Sequence, residues 1–334
     1  MRFVNAVLIA CLMFGLVAFV GCGKEGDGTA DNGEGEGQNK KLQIAFVVNT
    51  VADFWIYTQR GIEKSQTVLP GYECIFRMND EGTAAGQIRI VDDLIASGVA
   101  AIAFSPIDPV NQIKKLNEWS KKIKVICCDS DIPKSNRLCY LGTNNVSAGE
   151  QAGQLIKEAL GDAGGKVMVF VGRKDVQNAI DRLAGIQKVL KGTNIEIVDV
   201  RTDDGDRVKA KANVLDTLTS YPEVNCMVSL WSYNGTQIVN ACKEKKLLGK
   251  MKIVCFDEDN PVLEAVKDGY VYGTVVQQPF EFGYQSMTLL ADILEGDMSR
   301  IPENKQIIID TKIIKQADAA AFQAFTKAIF KNNR

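Results

Sequence analysis

Residues 93–109 read DLIASGVAAIAFSPIDP, and this stretch decides the fold class. Its first letters close a segment, 83–97, in which Ile88, Val91 and Ile95 recur at three- and four-residue spacing, so one face of a helix is apolar. Thr83 is placed to cap that helix, and Gly98 to end it in a conformation that favours glycine. VAAIAF at 99–104 is then apolar throughout, as in a strand covered on both faces. Ser105, Pro106, Asp108 and Pro109 break the run and lead into the next helical segment. Helix, glycine, buried strand and polar strand end together make one unit of a doubly wound α/β protein with parallel strands.

The unit repeats in both directions. Strands are expected at 42–48, 72–77, 99–104 and 123–128, and after a break at 166–171, 195–201, 225–230, 252–256 and 272–276. A second helix, 178–191, sets Ile180, Leu183, Ile186 and Leu190 on one side and ends at Gly192. Two halves of like architecture result, about 42–143 and 165–277, with no repeat of sequence between them. A length of 334 residues is about twice that of one usual domain and agrees with two lobes.

Composition narrows the function. Hydrophobic residues make up 46% and charged residues 24%, the balance of a soluble globular protein. A net charge of −2 offers no basic surface for nucleic acid. There is no histidine, which removes the commonest general base and the most frequent zinc ligand, so neither hydrolysis nor a cofactor or metal is expected. Outside Cys11 and Cys22, seven cysteines remain: Cys74, Cys127, Cys128, Cys139, Cys226, Cys242 and Cys255. An odd number without C-x-x-C spacing is no disulfide framework, and those in apolar runs read as small buried hydrophobes. A Cys128–Cys139 pair stays open.

Arg2 precedes an apolar run from Phe3 to Val20 that stops at Gly21-Cys22-Gly23, the form of an export signal. The run falls short of the ~20 residues of a membrane span, and no basic cluster follows it. Phe19-Val20-Gly21-Cys22 resembles a bacterial lipobox, with Cys22 as the lipidated residue. Residues 23–40 contain no large apolar side chain and read as a flexible tether. The expectation is a signal peptide at 1–21, an anchor cysteine and tether at 22–40, and a folded body held at a membrane in the periplasm or at the cell surface.

In open parallel sheets, ligands bind beyond the carboxyl ends of the strands. Here those ends carry Asn49 to Trp55, Ser105 to Pro109, Asp129-Ser130-Asp131, Gly172-Arg173, Trp231 to Asn234, Asp257-Glu258-Asp259 and Gln277-Gln278. Asn178 and Arg182 lie one helical turn apart and share a face. Carboxylates, amides and a guanidinium suit the hydroxyl edge of a sugar, and aromatic rings suit its C–H faces. Acids outnumber bases at these ends, which argues against an anionic ligand. Several residues also have plainer readings: Asp53 and Asp108 as helix caps, Phe54 as core, Asp131 and Asp259 as solvent-facing, Trp119 as packing. Asp129, Asp257 and Arg182 are the least plain, since charges beside buried strands are rare unless paired or functional.

At this point the chain resembles the ribose-binding-protein family, the type I periplasmic sugar-binding proteins of ABC importers. The likeness covers nearly all of 42–316 and rests on Asp53-Phe54-Trp55 with Gly61, on 93–109, and on VICCDSD at 125–131 and LGTNN at 141–145. Asn178 and Arg182 before Gly185, VCFDEDN at 254–260, AVKDGYVYGTVVQQP at 265–279 and ILEGD at 293–297 complete it. The resemblance implies two lobes joined by three chain crossings, near Thr143, Gln277 and Asp310, that close on the ligand about a hinge. One lobe would be 42–143 with 278–310, the other 144–277 with 311–316, and 317–334 would be an appended helix. By position it assigns the aromatic clamp to Phe54 and Trp55, polar contacts to Ser105 and Gln277, hydroxyl-binding acids to Asp129 and Asp257, and the donor to Arg182. Asp131, Asn178 and Trp231 complete the expected ligand set. The first loop looks one residue shorter than in the ribose binder, removing an Asn. Ser130 and Trp231 replace an Arg and an Asn, departures that point away from ribose itself but not from a sugar.

The expected function is therefore capture of a monosaccharide or related polyol by a monomeric, lipid-anchored binding protein that delivers it to an ABC permease. Rival readings are a sensing partner of a chemoreceptor or sensor kinase and, further off, a glycosidase using two of the acids. A repressor of the same fold would need an N-terminal helix-turn-helix, and a leader and tether stand there instead.

Overall fold

The apolar runs become buried strands and the periodic segments become helices packed over them. In the computed structural model, which describes residues 41–331, the first half holds β1 (Leu42–Val47), α1 (Phe54–Gln66), β2 (Tyr72–Arg77), α2 (Ala84–Ala96), β3 (Ala101–Phe104), α3 (Pro109–Trp119), β4 (Lys124–Cys128) and β5 (Tyr140–Gly142). The second half holds α4 (Asn145–Leu160), β6 (Gly165–Val171), α5 (Gln177–Leu190), β7 (Ile195–Thr202), α6 (Arg207–Ser220), β8 (Val224–Ser229), α7 (Ser232–Glu244), β9 (Lys252–Phe256), α8 (Asn260–Lys267) and β10 (Gly273–Val276). The chain then adds α9 (Pro279–Leu294), β11 (Gln306–Ile308), β12 (Lys312–Ile314) and α10 (Gln316–Lys331). Cys22, the signal and the tether lie outside the described residues.

Two six-stranded sheets form, in the orders β11-β5-β4-β3-β1-β2 and β12-β10-β9-β8-β6-β7. The orders match strand for strand, so the second sheet repeats the topology of the first. In each, the strand order reverses beside the first strand, creating the switch point at which α/β folds bind ligands. The chain passes between the sheets after β5, after β10, and between β11 and β12. One ladder departs from the all-parallel expectation: β12 pairs antiparallel with β10. β5, β11 and β12 have three residues each, too short for any hydrophobic period to mark them in sequence.

β3 shows why the run 99–104 is apolar throughout. Ala101 and Ala103 pack into one core cluster while Ile102 and Phe104 pack into another, since alternate side chains leave opposite faces of the sheet. Around it the punctuation holds: the Thr83 hydroxyl accepts from the Gly86 N–H at 3.0 Å, and Gly98 adopts φ +94°. Trp119 is buried edge-on against Phe104, with its indole N–H donating to Asp92 at 2.9 Å, so it is packing. All seven described cysteines are free, including Cys128 and Cys139.

α5 corrects one expectation. Ile180 is exposed, because the buried stripe of this helix is built on Ala179, Arg182 and Ile186 instead. Turning Arg182 inward rotates Ile180 to the surface.

Candidate ligand cleft

Asp129 and Asp257 occupy the same place in the two halves, directly after β4 and β9, and both adopt left-handed backbone, with φ +65° and +69°. That conformation costs a non-glycine residue free energy, although Asp tolerates it better than most. Each is held from the neighbouring strand: the Tyr140 hydroxyl donates to the Asp129 carbonyl at 3.0 Å, and the Thr274 hydroxyl to the Asp257 carbonyl at 2.8 Å. The same unusual turn, built twice, brings one buried carboxylate from each half to a shared cleft.

Counted out to its open mouth, the cleft holds about 400 Å³ of empty space. Eight of the ten expected residues line it: Phe54, Trp55, Asp129, Asn178, Arg182, Trp231, Asp257 and Gln277. Ser105 stands behind the wall, fully buried, donating to Asp129 at 2.9 Å and accepting from Asn49 at 3.3 Å, so it positions rather than lines. Asp131 does not belong to the site. It forms a buried ion pair with Arg137, whose Nη2 lies 2.6 Å from Asp131 Oδ2, and Arg137 reaches on to the Lys305 carbonyl. Three residues beyond the strand, Asp131 organises the loop instead of facing the cleft.

Sequence reasoning missed five lining residues: Asn49, Thr50, Ala52, Ser232 and Tyr233. Their signal was adjacency, since each sits at a strand end already singled out. Asn49 bridges two expected residues, accepting from the Trp55 indole N–H at 3.2 Å while donating to Ser105. Phe54 and Trp55 meet edge to face at 4.9 Å and belong both to the wall and to the core of the first half.

Arg182 is the electrostatic centre. It is 1% exposed, its guanidinium lies 4.5 Å over the Phe256 ring, Nε donates to Asn145 at 2.9 Å, and Nη1 donates to the Leu230 carbonyl at 2.5 Å. Nη2 is buried with no protein partner. Burial pushes the Asp129 and Asp257 carboxyls up to about 6, and the Arg182 charge is the leading influence pulling each back down. The remaining groups are aimed by side-chain bonds: Gln277 accepts from Thr143 at 3.0 Å and donates to Asp257 at 2.8 Å, and Asn178 accepts from the Trp231 indole at 3.2 Å. A buried donor without a partner costs free energy unless something else accepts its hydrogen bond.

The halves meet across the opening. Asn178 reaches Asp129 at 3.5 Å, and Arg207 stands 3.7 Å from Asp53. Asp53 makes no side-chain cap bond to α1, contrary to its reading as a cap; its carboxylate faces Arg207 instead. Among the described residues no group of three or more His, Cys, Asp or Glu is placed to hold a metal.

Residues 44–298 match the family described as the periplasmic binding protein domain. The chain belongs to this family. Similar periplasmic binding proteins include the D-allose-binding periplasmic protein of Escherichia coli K12, 24% identical over 288 residues, 82% of this chain and 92% of that one. A ribose import binding protein of Salmonella typhimurium is 25% identical over 277 residues, 80% of this chain and 91% of its own. Among solved structures, an ABC transporter solute-binding protein from Burkholderia graminis in complex with D-arabinose matches with TM-score 0.78 and 25% identity over 84% of this chain and 97% of that one. A XylFII–LytSN complex matches with TM-score 0.75 and 25% identity over 83% and 99%. These relatives are binding proteins, so the chain falls among extracytoplasmic solute-binding proteins and not among enzymes.

Proposed function

We propose that this periplasmic binding protein captures one neutral monosaccharide or related polyol between its two halves and delivers it to an ABC importer. The observation that carries the reading is the buried, unpartnered Nη2 of Arg182, set in a cleft with carboxylates from both halves and aromatic walls. A sugar hydroxyl accepts from Arg182 while its neighbours donate to Asp129 and Asp257, and the C–H faces lie against Phe54, Trp55 and Trp231. An anionic ligand would have to sit against two carboxylates. The names of the relatives, for allose, ribose and arabinose, support the same ligand class. The working unit in this proposal is a monomer. A thermal-shift screen over monosaccharides, polyols and nucleosides tests the reading, because specific binding raises the melting temperature by mass action. A screen in which only charged ligands stabilise the protein contradicts it.

Attachment through Cys22 belongs to the same proposal, supported by the lipobox-like run and the polar tether that follows it. Cys22→Ser should abolish lipidation and detergent partitioning in a bacterial host. A wild-type protein recovered fully soluble and unmodified would overturn the anchor. The XylFII–LytSN complex, a similar chain docked on a second protein, favours as the second reading a receptor in place of the importer. Pull-down with each class of partner in the presence of sugar separates the two.

A further inference from the structure

α10 lies beyond both sheets, yet it touches both halves of the molecule. Its first turns dock on α8 of the second half. Gln323 is buried and donates to Glu264 at 2.8 Å, Gln316 donates to the Lys267 carbonyl at 3.1 Å, and Ala319 is fully buried in the core of that half. Its last turn reaches α1 of the first half, where Phe330 packs edge-on against Tyr57 at 5.0 Å and lies under the Arg60 guanidinium at 5.8 Å. α1 is also the helix that begins with the aromatic wall Phe54-Trp55.

We propose that α10 is a noncovalent strap, a fourth link beside the three chain crossings, that favours the closed arrangement of the halves and so raises ligand affinity. The regulation rests on the sugar-binding reading of the cleft, but the strap itself is a claim about the ligand-free chain as well. Tyr57 stands at the junction of the halves, lining one cavity with Glu258 and with Thr326 of α10. Opening the cleft carries α1 away from α8, and with it Tyr57 and Arg60 away from a helix that stays docked on α8. The Phe330 contacts therefore exist in the closed form and are given up on opening, which biases the equilibrium toward closure. A cavity lined by Phe322, Phe325 and Thr326 of α10 and by Gln278 and Pro279 lies between the strap and the second crossing.

The test is Phe330→Ala, with Phe330→Tyr as rescue and a chain ending at residue 316 as the full deletion. An aromatic pair of this kind sets the scale of the loss, about two- to tenfold in the closed-to-open ratio. Small-angle scattering of the ligand-free Phe330→Ala protein should show a larger radius of gyration than wild type, and Phe330→Tyr should restore it. The dissociation constant for the sugar identified by the thermal screen should rise about two- to tenfold in Phe330→Ala and return with Phe330→Tyr. Melting temperatures of Phe330→Ala and wild type verify that both remain folded, so the test stands even where the full deletion does not fold. Superimposable ligand-free scattering curves for wild type and Phe330→Ala overturn the strap. A wild-type protein that binds no sugar overturns the reading of the cleft, while the scattering comparison still decides the strap.

Discussion

Replacing Arg182 by Met probes the centre of the cleft. Methionine keeps an unbranched side chain to lie over Phe256 and removes only the charge and its donors. Three consequences follow from the geometry. The ligand loses the donor Nη2, a charge-assisted bond worth about 1.5–3 kcal/mol. Asn145 and the Leu230 carbonyl lose their partners at 2.9 and 2.5 Å, so the wall behind the ligand loosens. Asp129 and Asp257 lose the influence that offsets their burial, so both move above about 6 and become protonated nearer to neutral pH. An overall loss of about 2 kcal/mol is expected, a dissociation constant about thirtyfold higher at pH 7.5. The pH at which affinity falls should move upward. Titration calorimetry from pH 5 to pH 8.5 reads both effects. An affinity within threefold of wild type, with an unshifted pH profile, would refute the placement of the ligand against Arg182.

Acidification should act in opposite directions on binding and on the empty protein. Asp129 and Asp257 are raised from 3.8 to about 6, so their contribution to folding is fully present below about 3.8 and is lost as pH rises through about 6. The ligand-free melting temperature should therefore be higher at pH 5 than at pH 7, while sugar affinity, which uses the ionised carboxylates, should weaken below about pH 6; parallel trends would contradict the assignment. Gly149→Ala would set a Cβ 2.1 Å from the Arg182 carbonyl, forcing α4 and α5 apart at about 1–3 kcal/mol and weakening binding, whereas Gly71→Ala, with open space around it, should be neutral. Differential scanning calorimetry of the two variants checks this. Sugar should change tryptophan fluorescence saturably through Trp55 and Trp231, which line the cleft, and the change should survive Trp119→Phe but shrink in Trp231→Phe; an equal response in both variants would mean that the cleft tryptophan does not sense the ligand.

The parts of the fold that could be read from sequence were those with a period or a punctuation mark. VAAIAF is apolar at every position because both faces of β3 are covered, and Gly98 and Gly192 carry the positive φ that their positions demanded. The three-residue strands β5, β11 and β12 carry neither signal, and the antiparallel pairing of β12 depends on where the chain returns rather than on its letters. The site followed the same logic. Asp129, Asp257 and Arg182 stood out because a charge against an apolar run must be paired or used. Asp131 carries the same letter two residues on, and its partner Arg137 lies in a loop whose path no periodicity predicts. Asn49 was passed over because its role is relational: it matters through the indole of Trp55 and the hydroxyl of Ser105, which only the folded chain brings together.

The central claim, one neutral sugar held between two halves of a single chain, is tested most directly by isothermal titration of the purified protein with D-ribose, D-allose, D-arabinose and other monosaccharides at pH 7.5. The account predicts saturable binding of at least one of them, with a stoichiometry of one per chain and an affinity that drops about thirtyfold in Arg182→Met. Binding of an anionic ligand in place of every neutral sugar, or sugar binding indifferent to Arg182, would contradict it.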